Sequence, residues 1–443
     1  MMKASRYNRL LPFDDGSLLA FNASSAALIR IRPEKRETFH RVLGRPEAAE
    51  TEEERRFRDV LVGKKFLVEE GLDEVAQIAA RHRWHRLGGS LFSLTLAPTL
   101  SCNLRCDYCY ERPSPARMTE VTRRALLGFA DRRMPGAESA SITWFGGEPT
   151  LCLDTIEQIQ AGLGALADRH GAKLIPAGIV TNGWLLDRST AERLAAAGVT
   201  TAQITLDGPR EVHDRRRKLP DGRGTFDRIL ANLDGAAGLL HCTVRVNLDE
   251  RNTASAADLV AELRRAGLLD RVSVSFAQVR PSDGACADVG DSCYSVEDFA
   301  GRLVELYGRL VEQGFESVDH PTVSPGGPCG ADSDRAFVVA PDGTLFKCWE
   351  EIGAGEAASV GTIFSDDLTP AQRRNLDRYL GREPLACAEC RECAVLPLCM
   401  GGCPLDAARA PGGAGHACCT WKYNLDEMLK LRSVCGQRQA GRR

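Results

Sequence analysis

Three closely spaced cysteines are the residues of this chain with the clearest chemistry. Cys102, Cys106 and Cys109 follow one another at C-x3-C-x2-C spacing within residues 101–110. Three thiolates so spaced can hold three corners of a 4Fe-4S cluster, whereas a cluster used only for electron transfer normally takes four cysteines. The spacing therefore indicates one iron left open for a substrate or cofactor. Structural zinc is the alternative, but it usually needs a second ligand pair at matching spacing, and none lies nearby.

A second group of cysteines lies in the C-terminal third of the chain. Thirteen residues separate Cys329 from Gly343, and four more separate Gly343 from Cys348. The remaining members of the group are Cys390, Cys393, Cys399, Cys403, Cys418 and Cys419. This region is rich in Cys, Gly and Pro and has few long apolar runs, so bound metal is expected to stabilise it. Zinc ribbons are the alternative to iron–sulfur clusters here.

Composition excludes several classes of protein. The 443 residues suit two or three domains, and 43% apolar with 26% charged residues is ordinary for a globular protein. A net charge of −3 with scattered arginines lacks the basic stripe of a nucleic-acid binder. The N-terminus has no apolar signal segment, and no stretch reaches the length of a membrane span, so we expect a cytoplasmic protein with no membrane partner. In such a protein seventeen cysteines point to metal chemistry rather than disulfides.

Apolar, β-branched runs recur along the middle of the chain, each followed by a helix-like stretch. They span residues 91–97, 140–145, 177–181, 201–206, 242–248 and 272–279. This alternation predicts an α/β fold with a parallel sheet and helices outside it. Six units are too few for a closed eight-stranded barrel, so the sheet is expected to form an open arc.

With Tyr108 directly before the last cysteine of the triplet, the chain resembles radical S-adenosylmethionine (SAM) enzymes. Gly146, Gly147, Glu148 and Pro149 follow the second predicted strand. The resemblance implies a partial (β/α)6 barrel in which SAM binds the open iron and this segment cradles its methionyl amino group. Paired glycines let backbone carbonyls approach a ligand, and Glu148 would help to hold the amine. A tight strand-to-helix turn is the alternative for the segment.

Further SAM contacts are expected at the ends of the next strands. Asn182 and Thr205 are candidates to bind the ribose, Asn247 is a weaker one, and Asp207 has either a site role or a structural one. Arg217 matches the place where the family has an arginine that meets the SAM carboxylate, and a guanidinium fork suits that group.

The C-terminal cysteines resemble the SPASM extension of the same superfamily, which implies two auxiliary 4Fe-4S clusters and three clusters in all. The outer cluster would be held by Cys390, Cys393, Cys399 and either Cys418 or Cys419. The inner cluster would be held by Cys329, Cys348 and Cys403. Val323 stands where relatives often have a fourth inner ligand, so the inner cluster has an open iron unless Cys286, Cys293 or Cys387 completes it. Cys152, Cys242 and Cys435 are expected to be buried small hydrophobes.

We divide the chain into residues 1–90, 91–310 and 311–443, the second being the barrel and the third the SPASM domain. The first is interpreted as winged-helix-like, with strands at 18–22 and 27–31 and helices at 52–61 and 72–81. In peptide-modifying relatives a domain of this size and place captures the leader of a precursor peptide by strand addition. A structural cap on the barrel is the alternative.

The resemblance implies an enzyme that generates a 5′-deoxyadenosyl radical and modifies a precursor peptide, with flavodoxin or ferredoxin as reductant. Trp349 follows Cys348 where sulfatase maturases place an aspartate base. A maturase that forms a thioether or carbon–carbon crosslink is therefore preferred over a sulfatase-type maturase. The sequence is also compatible with a small-molecule dehydrogenase or a non-enzymatic iron–sulfur protein.

Overall fold

The computed structural model describes residues 1–111, 113–281, 287–323, 329–410 and 416–440, so Cys286 lies outside the described residues. The chain forms two compact units. One combines residues 1–88, 303–329 and 382–443, and the other combines residues 89–302 and 330–381. The functional division into three segments stays a prediction, because compactness alone assigns no function.

The first unit begins with a small antiparallel sheet followed by helices. Its strands are β1 (Met2–Ala4), β2 (Asn8–Pro12), β3 (Leu18–Asn22), β4 (Ala27–Ile31) and β5 (Leu67–Glu69), and its helices are α1 (Arg36–Gly44), α2 (Glu52–Gly63) and α3 (Glu74–Leu87). β3 pairs with β2 and β4, while β1 pairs with β5. Sequence reasoning located β3, β4, α2 and α3 but missed β1, β2 and α1; the winged-helix interpretation stays a prediction.

Both faces of β3 are buried, in different apolar clusters. Leu18 and Ala20 pack with residues of α1 and α2, including Phe39. Leu19 and Phe21, on the opposite face, share a cluster with Cys390 and other residues of the cysteine-rich C-terminal segment. Because side chains alternate across a strand, one short strand joins these two cores within the first unit.

The second unit contains the predicted parallel sheet. Its strands are β6 (Leu91–Leu96), β7 (Arg105–Cys106), β8 (Ser139–Trp144), β9 (Lys173–Leu174), β10 (Ala177–Thr181), β11 (Val199–Thr205), β12 (Arg217–Lys218), β13 (His241–Leu248) and β14 (Ser273–Gln278). The helices in this stretch are α4 (Glu120–Arg133), α5 (Leu153–His170), α6 (Arg188–Ala196), α7 (Arg210–Arg216), α8 (Phe226–Ala236) and α9 (Ala256–Arg265). They are followed by α10 (Val296–Glu312), whose residues from Leu303 onward belong to the first unit. β6, β8, β10, β11, β13 and β14 lie side by side in that order and all pair in parallel. The α/β fold with an open parallel sheet is confirmed.

The sheet continues beyond the six predicted strands. β15 (Ala336–Val339) pairs in parallel with β6, and β16 (Thr344–Phe346) and β17 (Gly361–Thr362) extend it antiparallel. Gly343 lies in the β15–β16 turn at φ +89°, where a Cβ would stand 2.7 Å from the Phe364 ring. This glycine of the cysteine motif is therefore required by a tight turn.

The C-terminal helices are short except for the last. They are α11 (Pro370–Leu380), α12 (Ala388–Glu392), α13 (Leu396–Cys399), α14 (Pro404–Arg409) and α15 (Trp421–Ala440). Within the described ranges, no helix is both long enough and apolar enough to cross a membrane.

Candidate functional site

The cysteine triplet lies in the loop that follows β6, and a second loop holds it in place. β7, which contains Cys106, pairs antiparallel with β12, so Cys106 stands opposite Arg217. The amide of Asp107 donates to the carbonyl of Arg216 at 3.0 Å. The segment after β11 therefore fixes the middle of the cysteine loop.

The paired glycines after β8 pack against the start of the same loop. A Cβ on Gly146, which has φ +110°, would lie 2.5 Å from the Thr99 carbonyl oxygen. A Cβ on Gly147 would lie 2.3 Å from the Ser101 carbonyl oxygen. Any side chain here would displace the backbone that leads into Cys102, so both glycines are required for the approach of the two loops.

Glu148 joins the ends of β8 and β10. Its carboxylate is fully buried, and Oε1 accepts from Thr150 Oγ1 at 2.6 Å and Thr181 Oγ1 at 2.7 Å. Oε2 accepts from the amide of Asn182 at 2.7 Å. Burial raises the pKa of Glu148, and these hydrogen bonds act in the opposite direction. The structure thus gives this carboxylate a role in fixing strand ends, whereas its contact with an amine stays a prediction.

Tyr108 is the centre of a hydrogen-bond network that unites four predicted SAM-site residues. Its hydroxyl donates to Asp207 Oδ2 at 2.5 Å and accepts from Arg217 at 2.5 Å and from Asn247 Nδ2 at 3.1 Å. Asp207 also accepts from the Asn247 amide at 3.0 Å. The ends of β11 and β13 and the cysteine loop therefore meet at one tyrosine.

Asn182 and Thr205 lie at neighbouring strand ends, and both are buried. The Asn182 side chain donates to Asn103 Oδ1 at 2.7 Å, beside Cys102. Two hydrogen-bond donors, Asn103 Nδ2 and Arg217 Nε, are buried and have no protein acceptor among the described residues. Such donors fit a polar, partly anionic ligand at this edge of the sheet.

The three thiols interact electrostatically and are largely buried. Burial, with Glu148 as a further cause, raises the pKa of Cys102 to about 12. Burial also raises the pKa of Cys106 and of Cys109. Thiolates at this place therefore need a strong positive charge beside them, which the irons of a cluster supply. The donor set fits a cluster with three protein ligands.

Comparison with known proteins gives a consistent result. The Radical SAM superfamily model matches residues 96–252. Mycofactocin maturase MftC of Mycobacterium tuberculosis (strain CDC 1551 / Oshkosh) is 28% identical over 350 residues, covering 73% of this chain and 83% of that protein. The serine-type anaerobic sulfatase-maturating enzyme of Klebsiella aerogenes is 25% identical over 334 residues, covering 69% and 77%.

Residues 96–252 form a radical SAM domain. The protein is accordingly an enzyme, and the match to this domain implies a 4Fe-4S cluster and SAM as cofactors.

Two solved structures share the fold of this chain. Native anSMEcpe with bound AdoMet and Cp18Cys peptide has a TM-score of 0.59 at 18% identity, covering 79% of this chain and 99% of that one. Streptococcus suis SuiB has a TM-score of 0.51 at 16% identity, covering 94% and 99%. At such identities the likeness concerns the fold.

Sequence reasoning missed Glu111, which lies close to the triplet, and singled out Trp349 only as the residue after Cys348. Glu111 is buried, its Oε2 has no partner within the described ranges, and burial, with Glu148 nearby, raises its pKa to about 7. Trp349 is 44% exposed and stacks on Phe145 at a ring distance of 5.5 Å. Glu350 forms an ion pair with Arg280 at 3.3 Å. No spacing rule links Glu111 to Trp349 and Glu350, because the two segments lie far apart in the chain although both belong to the second unit.

The predicted outer-cluster cysteines line one cavity in the first unit. Its walls include Cys390, Cys393, Cys399, Cys418, Cys419, His416 and Lys422. The side chains of Cys399 and Cys419 interact directly with each other. Cys418 instead accepts from Lys422 Nζ at 3.2 Å. The geometry separates the two adjacent cysteines, which their spacing alone did not.

A strained turn shapes this cavity. Met400, Gly401 and Gly402 have φ of +45°, +81° and +72°. A Cβ on Gly402 would lie 1.5 Å from the Ala417 carbonyl oxygen, and the buried Arg382 donates to the carbonyl of Gly401 at 3.2 Å. The turn therefore brings the segment around residue 417 directly against the Cys399–Cys403 loop.

The other cysteines are divided between the two units. Cys329 and Cys403 belong to the first unit and Cys348 to the second. Of the spare candidates, Cys387 lies beside Cys390, and Cys293 packs with Val279, Tyr108 and Cys109. The residues expected to be buried hydrophobes, Cys152, Cys242 and Cys435, are buried.

Proposed function

We propose that this enzyme is a peptide maturase that joins a cysteine sulfur to a carbon of a ribosomally made precursor peptide. The radical SAM domain and the 28% identity to a maturase support the reaction class. The observation that carries the proposal is the single strand-end network around Tyr108, which gathers Asp207, Arg217 and Asn247 beside the triplet.

When bound, the cluster and SAM supply a 5′-deoxyadenosyl radical that removes a hydrogen atom from the substrate. Cys102, Cys106 and Cys109 would hold the cluster. Arg217 would meet the SAM carboxylate with its buried Nε, while Tyr108 and Asp207 keep its guanidinium in place. Asn182, Thr205 and Asn247 would contact the ribose. Gly146 and Gly147 would present backbone carbonyls to the amino group.

Two auxiliary clusters are part of the proposal. Cys390, Cys393, Cys399 and Cys419 would hold the outer one, since Cys419 faces Cys399 whereas Cys418 faces Lys422. Cys329, Cys348 and Cys403 would hold the inner one. Val323 packs in an apolar cluster and offers no ligand atom, which supports an inner cluster with an open iron. With only these three cysteines as protein ligands, the site would have room for the thiolate of the substrate cysteine, a soft ligand suited to iron.

Formation of the sulfur–carbon bond is a two-electron oxidation of the peptide. One hydrogen atom of the carbon leaves with 5′-deoxyadenosine, and the thiol releases a proton. The sulfur–carbon bond forms with one electron returned to the protein's clusters, and the product has lost two hydrogens. Trp349, stacked on Phe145, occupies the position of the sulfatase-maturase base, so an oxidation that needs that base is disfavoured.

The N-terminal sheet is proposed to capture the leader of the precursor. Its two faces are covered by the clusters on either side of β3, so its edges remain for strand addition. β4 is an outer strand whose residues 27–30 are partly exposed. Hydrogen exchange provides the test: binding of the cognate leader should slow amide exchange in β4, and protection confined to other elements would exclude this edge. Cytoplasmic location and reduction by flavodoxin or ferredoxin complete the proposal.

The test of the function uses anaerobically reconstituted enzyme, SAM, dithionite and the small peptides encoded next to its gene. A thioether product has lost two hydrogens, and one cysteine fewer reacts with an alkylating reagent. A product lighter by two hydrogens with every cysteine still alkylated would indicate a carbon–carbon crosslink. An aldehyde would indicate a sulfatase-type maturase. Absence of 5′-deoxyadenosine would refute the radical mechanism altogether.

A further inference from the structure

A cysteine and a histidine that no cluster motif includes lie beside one of the predicted outer-cluster ligands. The side-chain ligand atoms of Cys387, Cys390 and His416 all lie within 4.8 Å of one another. We propose that Cys387 and His416 are positioning residues that donate hydrogen bonds to the Cys390 sulfur and thereby raise the reduction potential of the outer cluster. This inference rests on the outer cluster proposed above.

The backbone brings the three residues together from two directions. Cys387 is the N-cap of α12 and Cys390 lies within that helix, so their side chains are three positions apart and on one face. The Cys387 and Cys390 side chains interact, with their sulfurs within 4.8 Å of each other. His416 comes from the segment held against the Cys399–Cys403 loop, where the Ala417 amide donates to the Gly401 carbonyl at 2.8 Å.

The trio is better explained as a shell around the cluster than as an independent metal site. His416 lines the same cavity as Cys390, Cys393 and Cys399. A separate ion would have to share the Cys390 thiolate with that cluster. A 4Fe-4S cluster already has four thiolate ligands in Cys390, Cys393, Cys399 and Cys419, so Cys387 and His416 remain as donors.

The surroundings make such donors effective. Cys390 is 7% exposed and belongs to an apolar cluster with Tyr7, Phe21 and Leu396. Hydrogen bonds to cluster sulfurs stabilise the extra negative charge of the reduced form, and a low-dielectric environment strengthens them. A Glu389 carboxylate oxygen lies 3.7 Å from His416 Nε2, and its negative charge would lower the reduction potential. That side chain is largely exposed, so solvent screens the charge.

Potentiometric titration followed by electron paramagnetic resonance tests the proposal on the full-length, reconstituted protein. Cys387→Ala and His416→Ala should each retain the wild-type iron content and shift the midpoint of the outer cluster to a lower potential. His416→Gln keeps an N–H donor and should shift it less than His416→Ala. Cys242→Ala and His40→Gln, which alter a buried cysteine of the other unit and an exposed histidine of α1, are the matched controls.

Each contrary result overturns the inference in a recognisable way. Loss of about four irons in Cys387→Ala would make Cys387 a ligand. An unchanged midpoint in both alanine variants would make the pair structural. One zinc per chain that disappears in His416→Ala would identify a separate metal site. Wild-type protein that never holds the outer cluster would instead refute the proposed cluster set, and this inference with it.

Discussion

The two cysteine-rich regions of this enzyme are built in opposite ways. The triplet loop is held by the ends of parallel strands, and polar contacts around Tyr108 and Glu148 fix its position. The outer cavity is lined by five cysteines, more than one cluster needs, and is shaped by a turn of positive-φ residues. In the triplet the number of cysteines equals the number of ligands needed, so the sequence alone identifies the ligands. In the outer cavity there is one cysteine more than a cluster needs, and only the contacts around each cysteine indicate which four are ligands.

The largest expected effect is the loss of SAM cleavage when the triplet, but not the outer cavity, is altered. Replacing Cys102, Cys106 and Cys109 together by Ala should remove about four irons and abolish SAM cleavage while the auxiliary clusters stay. Iron analysis and 5′-deoxyadenosine quantification provide the measurement. Cys152→Ala, a buried cysteine of the same unit, is the control and should change neither. Residual 5′-deoxyadenosine in the triple variant would contradict the assignment.

Variants of the adjacent residues Cys418 and Cys419 test which of the two is a ligand of the outer cluster. Cys419→Ala should lose about four irons and retain SAM cleavage, because Cys419 faces Cys399. Cys418→Ala should keep its iron, because its sulfur is occupied by Lys422. Equal iron content in the two variants would show that either cysteine serves.

The turn that shapes the outer cavity gives a further test. Gly402→Ala should lower occupancy of the outer cluster, since its Cβ would overlap the Ala417 carbonyl oxygen 1.5 Å away. Gly353→Ala also places a side chain at positive φ, +85°, but meets no atom within 4 Å. If both variants lose iron equally, backbone strain rather than the close contact is responsible.

In the barrel region, the corresponding test concerns stability. Glu148→Gln places an amide donor opposite donors from Thr150, Thr181 or Asn182, and should lower the free energy of unfolding by roughly 2 kcal/mol. Chemical denaturation of the reconstituted protein measures it, with Glu157→Gln, a partly exposed residue of α5 that pairs with Arg193, as control. A change below that of the control would mean that Glu148 does not join the strand ends.

The smallest expected effect concerns the contact between the N-terminal segment and the outer-cluster loop. Arg6 pairs with Glu392 at 2.8 Å and donates to the Arg391 carbonyl at 3.2 Å. The pair is exposed, so Arg6→Gln should lower the free energy of unfolding by only about 0.5 kcal/mol. A loss of cluster iron in this variant would show that the exposed pair, rather than the apolar cluster beneath β3, holds the loop.

The sequence by itself determined the parallel sheet and the triplet. Each predicted barrel strand was found within two residues of its expected ends, because period-2 patterning and βα alternation are local signals. β15 was missed, since its four residues gain their place only by pairing with β6. The fourth sulfur of the outer cavity was left open for the same reason. Cys418 and Cys419 are adjacent, so their spacing from the other cysteines differs by only one residue. Only their contacts with Lys422 and Cys399 distinguish them.

Tertiary structure also decided what the signature residues do. The Gly146-Gly147 pair was expected to serve the ligand, yet both glycines are first required by backbone that approaches within 2.5 Å of a Cβ position. Glu111 and His416 carry no spacing signal and gain their interest from neighbours distant in the chain. Within the triplet, spacing records which atoms can bind a metal, because its three sulfurs are close in sequence. Burial, hydrogen bonding and the choice among surplus ligands arise only when separate segments fold against one another.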